Sequence, residues 1–329
     1  MNTKPTMTTP SCRLRSRAAR RIVLLLWLFP LATAIAAADT KRPKILGIAG
    51  VTIYVSDAGA SRQFYSQQIH FLPLADRNCS KPELSCYGVG RSQRVDLVQG
   101  KGSLTDSLVG ASFLGEITFL TDDIKKMNQF LIEHSVHTTG VMQLGGTKAF
   151  PNKRYHMDTV DPDGHRIGFI QYVGCVTCTD SENPTVSNRI IHAGFVVRQK
   201  PRMDQFYRDI LGFRPYWHGG MKDDQTDWVS LQVPDGTDWI EFMVNVPENA
   251  DQRLRGIMNH IALGVPDIHA AREQLVKKGV HLTEEPKLGR DGKWQLNLYD
   301  PDQTRIEFME FTPKEHPCCS EFTGPHPKP

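Results

Sequence analysis

Ile240-Glu241-Phe242-Met243 and Ile306-Glu307-Phe308-Met309 are the same four residues written twice in one chain. Each copy trails a histidine that opens an apolar run. His192 begins His-Ala-Gly-Phe-Val-Val, 49 residues before Glu241, and His260 begins His-Ile-Ala-Leu-Gly-Val, 47 residues before Glu307. Side chains alternate across a strand, so Glu241 and Met243 share one face while Ile240 and Phe242 take the other. Glu307 and Met309 divide from Ile306 and Phe308 in the same way. His192 shares a face with Gly194, which leaves room beside the imidazole. Taken singly, each histidine reads as a core residue and each glutamate as an edge charge. Taken together at repeated spacing, His192, Glu241, His260 and Glu307 read as the ligand set of one divalent metal. The set would lie on the pseudo-twofold between the halves of a repeat.

Working outward, residues 188–312 repeat one order of elements. Ile190–Val197 reads as a strand and 201–211 as a helix, on the spacing of Met203, Phe206, Tyr207 and Ile210. Gly212 is placed to stop that helix. Strands at 228–233 and 239–244 flank Asp235-Gly236. The second half has a strand at 259–265, a cap at Asp267, a helix at 268–278 and a stop at Gly279. A hairpin follows, 294–299 and 305–311, turning through Asp300-Pro301-Asp302-Gln303. Each half is β-α followed by strands.

The N-terminus reads as a targeting leader. Five arginines, Arg13 to Arg21, precede an apolar run from Ile22 and then small residues through Ala38. This is the layout of a secretory signal peptide covering 1–38. The apolar run is shorter than the roughly 20 residues a spanning helix needs, so no stable membrane span is expected after cleavage. The chain is formally +3, but the leader carries six basic residues and no acid, leaving the rest at −3. Nothing then argues for nucleic acid as a partner. The remaining length, about 290 residues, fits two domains. We place them at 45–173 and 188–312, joined by a Cys-containing linker at 174–187 and followed by a proline-rich tail at 313–329. Cys175-x-x-Cys178 has no second Cys-x-x-Cys to complete a zinc site. It reads as a structural linker feature, with Cys318 or Cys319 as candidate partners, although spacing alone leaves connectivity open.

Paired βαβββ modules of this kind resemble the vicinal oxygen chelate superfamily, which includes glyoxalase I, bleomycin resistance proteins and extradiol dioxygenases. The matching pieces are Ile191-His192 with Phe206-Tyr207 and Leu211-Gly212-Phe213, then Trp239-Ile240-Glu241, Asn259-His260-Ile261, and Asp300-Pro301-Asp302 with Arg305-Ile306-Glu307. The resemblance implies an α+β chain of two tandem domains. Each would be a half-open β-barrel built from two modules. Residues 45–173 read as a worn copy. Matching Phe64-Tyr65, Val95-Asp96-Leu97 and Asp161-Pro162-Asp163 sets Gly50 against His192, Asp96 against Glu241, Glu116 against His260, and Gly168 against Glu307. Glycine cannot coordinate, so one metal site is expected, in the C-terminal domain, without exchange of modules.

What the resemblance implies for activity is a lyase or isomerase of the glyoxalase kind. A small substrate with adjacent oxygens would chelate a divalent Zn, Ni, Co or Mn. Glu307 is the first candidate for catalytic base and Glu241 the second. The alternative is an extradiol-type dioxygenase, in which His192, His260 and Glu307 alone would hold Fe(II). Glu241, a fourth ligand, discriminates against it. A further alternative is a non-catalytic binder of small molecules. Trp217, His218, Trp228 and Trp294 are candidates for the cavity mouth or for core packing. His269 and His281 read as surface residues, and Glu310 points away from Glu307. The oligomeric state is not legible.

Overall fold

The computed structural model describes residues 40–74, 79, 83–90, 92–100, 114–146, 153–174 and 186–329. The leader and the Cys175/Cys178 pair lie outside them.

Two eight-stranded sheets carry the fold, each drawn from one stretch of chain. The first holds β1 (Ile45–Val55), β2 (Leu72–Pro73), β3 (Leu84–Val89), β4 (Gln93–Gln99), β5 (Leu114–Thr121), β6 (Met142–Leu144), β7 (Lys153–Val160) and β8 (Arg166–Val173). The second holds β9 (Ile190–Val196), β10 (Arg214–Gly219), β11 (Trp228–Gln232), β12 (Trp239–Met243), β13 (His260–Val265), β14 (Lys287–Leu288), β15 (Trp294–Tyr299) and β16 (Arg305–Glu310). Their orders are β2-β3-β4-β1-β5-β8-β7-β6 and β10-β11-β12-β9-β13-β16-β15-β14. One order is the other shifted by eight strands. Each sheet is thus two βαβββ modules joined at a central antiparallel pair, β1 with β5 and β9 with β13, and both curl into half-barrels.

Helices α2 (Ile124–Glu133) and α5 (Ile268–Lys277) start at Asp123 and Asp267, whose carboxylates accept the N–H groups of Lys126 and Ala270. The other pair departs from the expected α-helix. Short turns α1 (Ala58–Gln63) and α3 (Lys200–Asp204) run into π-helical segments at Phe64–Gln68 and Gln205–Ile210. Both segments carry adjacent aromatics, Phe64-Tyr65 and Phe206-Tyr207, and all four are buried. The wider turn lets neighbouring residues face inward together. In the second domain, β10, β14 and α4 (Gln252–Met258) are additional to the elements read from the sequence.

One hydrophobic core serves both sheets. Phe119 of the first domain meets Phe213 of the second edge to face, centroids 5.3 Å apart. The Asp-Pro-Asp segments do more than turn hairpins. Asp161 and Asp300 each fold their own turn through Oδ1, accepting the N–H groups of Asp163 and His165, or of Asp302 and Thr304. Each Oδ2 then reaches the other domain. Tyr207 donates to Asp161 at 3.1 Å and Tyr65 to Asp300 at 3.0 Å. Asp163 accepts the backbone N–H of Arg198, and Asp302 that of Ser56.

The proline-rich tail is a strap across the C-terminal sheet. Thr323 N donates to Tyr216 O, Cys318 N to Arg290 O, and Gln232 Nε2 to Pro325 O. Prolines suit a segment that follows an existing surface without forming its own ladder. Cys318 and Cys319 are bonded to each other, which removes both as the candidate partners of the linker cysteines. Cys79 pairs with Cys86.

Candidate metal centre

His192 on β9, Glu241 on β12, His260 on β13 and Glu307 on β16 meet on the concave face of the second sheet. The strand registers explain the meeting. His192 lies opposite Trp239 and Ala262, and Glu241 and His260 stand two residues along those strands, on the same face. Glu307 lies opposite Ala262 and Glu241 opposite Gly194. The room left by Gly194 is filled by the His260 ring, and a Cβ at that position would overlap it.

The Nε2 atoms of His192 and His260 lie 3.0 Å apart. Glu307 Oε2 lies 3.4 Å from His192 Nε2 and 3.8 Å from His260 Nε2, and Glu241 Oε2 lies 3.5 Å from His260 Nε2. Ligands about 2.1 Å from a common ion stand about 3.0 Å apart at right angles and about 3.4 Å apart at the tetrahedral angle. Three of the separations, 3.0, 3.4 and 3.5 Å, lie close to those edges, and the 3.8 Å between Glu307 and His260 is longer. Two imidazole nitrogens directed at one point, with two carboxylate oxygens beside them, fit a borderline divalent cation. His260 Nδ1 is 3.4 Å from Met258 O, which assigns its proton to Nδ1 and leaves Nε2 to bind. Among the described residues, His192 Nδ1 has no hydrogen-bond partner. The His192 ring instead packs against Trp239 at 4.7 Å.

Electrostatics favour the ligating forms. Burial pushes the His260 imidazole well below its ordinary range, with Arg305 and His192 adding to the effect, so it stays neutral. Burial alone would raise Glu307, but Arg305 and the two histidines outweigh it and hold the carboxyl at about 2. Glu307 is enclosed, with 2 % of its side chain exposed, whereas Glu241 keeps 14 % and accepts a 3.3 Å contact from Ser230.

Beside the centre opens a cavity of about 310 Å³ bordered by both glutamates. Trp217 and Trp228, stacked at 6.4 Å, form one wall with Met243 and Met309, while Arg290, Lys287 and Arg305 supply positive charge. Trp294 is not among the lining residues. It packs on the core, with His269 at 5.1 Å. His269 and His281 are exposed, and Glu310 faces away, capping α5 through Ile268 N.

Sequence reasoning missed Asp291 and Lys293. Lys293 is fully buried, and its Nζ sits 4.3 Å from the Trp239 ring centre and 5.0 Å from that of Phe322 in the tail. Burial brings its ammonium down to about 8, and burial raises the Asp291 carboxyl to about 6. The pair sits in a loop whose spacing carries no periodic signal. Only the strap across it reveals that this lysine is enclosed.

In the first sheet, the matched positions fall where the alignment set them. Gly50 pairs with Arg94 as His192 pairs with Trp239, and Thr118 pairs with Gly168 as Ala262 pairs with Glu307. Asp96 and Glu116 are not surface charges. Both border a second cavity of about 170 Å³, and Arg94 holds Asp96 at 2.8 Å.

Residues 189–308 match the family model described as the Glyoxalase/Bleomycin resistance protein/Dioxygenase superfamily. A curated relative, lactoylglutathione lyase of Haemophilus influenzae, is 29% identical over 124 residues, spanning 37% of this chain and 92% of the relative. Among solved structures, a variant of homoprotocatechuate 2,3-dioxygenase from Brevibacterium fuscum superposes with a TM-score of 0.62 at 18% identity, covering 86% of this chain and 74% of that one. The Mn(II)-bound glyoxalase of Novosphingobium aromaticivorans gives 0.60 at 16% identity, covering 82% and 83%. At such identities the structural likeness establishes the fold.

Proposed function

The chain belongs to the vicinal oxygen chelate superfamily through residues 189–308, and on that premise we propose that it is an exported metalloenzyme of the glyoxalase-like lyase or isomerase kind. The observation that carries this reading is the four-donor cluster of His192, Glu241, His260 and Glu307. A divalent cation held there supplies Lewis acidity to the adjacent oxygens of a small α-oxo or hydroxy compound. Glu241, partly open to the cavity, is the better placed proton acceptor, and Glu307, enclosed between both imidazoles, is the better placed fixed ligand. This reverses the order expected from the sequence. The aromatic and methionine wall receives an apolar substrate body; Arg290 and Lys287 border the same cavity, paired with Asp223 and Glu284.

Stacked Trp217 and Trp228 also favour a second reading, Fe(II)-dependent cleavage of an aromatic diol. One experiment separates the two. The protein is stripped, reloaded with Zn, Ni, Co, Mn or Fe(II), and assayed for isomerisation of α-oxo substrates and for oxygen uptake with catechols. Turnover of an α-oxo substrate without oxygen uptake is expected. Sustained uptake coupled to ring opening with Fe(II) alone would overturn the lyase reading. Export rests on the leader, and it is tested by fractionating cells that express the full chain. Full-length protein retained in the cytoplasm would refute it.

A further inference from the structure

Glu116, His156 and Asp158 stand together on the concave face of the first sheet, and their arrangement is not a remnant of the four-ligand set. Glu116 on β5 occupies the register of His260, since each pairs with an arginine, Arg166 and Arg305. The other two come from β7, whose counterpart in the second domain, β15, contributes no ligand candidate. Asp158 lies directly opposite Gly168, and His156 is two residues along on the same face. The corresponding positions on β15 are Asn297 and Gln295. Gly168 opens the space they use, because a Cβ there would run into Glu116 Oε1, His156 Nε2 and Thr118 Oγ1.

The carboxylates divide their oxygens. Arg166 lies 3.0 Å from Asp158 Oδ2 and 3.6 Å from Glu116 Oε2. Glu116 Oε1, which accepts from Thr118 Oγ1 at 2.7 Å, and Asp158 Oδ1 face His156 Nε2 at 3.2 and 3.4 Å. These are again the edges expected around one ion. Asp158 is only 8 % exposed, and apart from the 3.4 Å approach of His156 Nε2 its Oδ1 has no hydrogen-bond donor among the described residues. A buried acceptor left without a donor is costly, and a cation satisfies it. The 170 Å³ cavity bordered by Glu116 and His156 leaves space for further ligands.

We propose that the first domain binds a divalent cation of the Zn or Mn class on Glu116, His156 and Asp158, displaced toward β7 from the position of the C-terminal centre. One nitrogen and two oxygen donors suit that class. Arg166 holds the outer oxygens and keeps both carboxylates turned inward. The displacement follows from β1 and β4, where Arg94 and Asp96 already satisfy each other.

The test is metal counting on the chelator-stripped full chain after dialysis against Zn(II). Wild type should bind two equivalents. H192A/H260A should retain one, and so should H156A/D158N, while the combined variant should retain none. Wild type with a single equivalent that H192A/H260A abolishes would overturn the proposal, as would a second equivalent indifferent to H156A/D158N. Failure of the C-terminal reading gives a separate result, a count that H192A/H260A does not change. Because substitutions in a buried cluster can impair folding, Co(II)-soaked crystals of the wild type provide a second measurement. An anomalous peak between Glu116, His156 and Asp158 is expected, and its absence refutes the site.

Discussion

At four matched positions near the centre of its sheet, the C-terminal domain places His192, Glu241, His260 and Glu307. The N-terminal domain places Gly50, Asp96, Glu116 and Gly168 at the same positions. The backbone is shared and the chemistry is not. In one domain four donors converge and Gly194 makes room for a donor's ring. In the other the glycines make room for substitutes: Arg94 passes where a Cβ on Gly50 would stand, and His156 fills the space over Gly168. Glycine at a ligand position therefore removes one donor and admits another from a neighbouring strand.

The largest expected effect breaks the comparison at its glycines. Gly194→Ala should displace His260 and lower metal affinity at the C-terminal centre by at least a hundredfold, with a destabilisation of about 1–3 kcal/mol from overpacking. Gly168→Ala should leave that affinity intact while destabilising the protein by about 1–3 kcal/mol, the usual cost of overpacking a filled site. Zn(II) titration and thermal melting of both variants check the pair. Equal loss of C-terminal metal in the two would show that the domains do not hold their sites independently.

Much of this was legible because strands alternate and the repeat is written twice. The period-2 pattern puts Glu241 and Glu307 on one face, and the repeat between the halves carries the register that the sheets display. Three things were not legible. The π-helical widening at Phe64-Tyr65 and Phe206-Tyr207 needs two adjacent aromatics buried at once, which a helical period does not predict. His156 and Asp158 gain meaning only once Gly168 is known to lie beneath them. Lys293 is enclosed by Trp239 and Phe322, and Phe322 comes from a tail whose composition signals no structure.

The domain junction offers a smaller and finer contrast. Tyr65→Phe and Tyr207→Phe each remove a buried hydrogen bond to a carboxylate, of order 1.5–3 kcal/mol. The two should differ. Asp161 Oδ2 also meets His165 Nδ1 at 2.8 Å, whereas Tyr65 supplies the side-chain partner of Asp300 Oδ2. Burial already pushes the Asp300 carboxyl up to about 6. Tyr65→Phe should therefore cost more than Tyr207→Phe in denaturant titration. The reverse order would show that His165 does not share the load at Asp161.

The smallest effect concerns the strap, which covers the C-terminal sheet and has no counterpart among the described residues of the first. Tyr216 and His326 hold it at 2.6 Å, between the hydroxyl and Nδ1. Burial, with Lys293 nearby, brings the His326 imidazole down to about 4. Released from the sheet, it would return to about 6.5. Between those values the docked strap binds fewer protons than the released one, so docking gains with rising pH across that window. It is complete above about 6.5 and is lost as pH falls toward 4. Asp291, raised to about 6, acts in the opposite direction, so the wild type alone does not isolate the histidine. Comparison with His326→Gln does. After correction for intrinsic rates, hydrogen exchange at the Thr323 amide, which donates to Tyr216 O, should quicken between pH 7 and pH 5 in the wild type. In His326→Gln that acid-dependent increase should disappear. Identical pH dependence in both proteins would mean that the strap is held by its backbone bonds and by Phe322, and that His326 contributes no pH response.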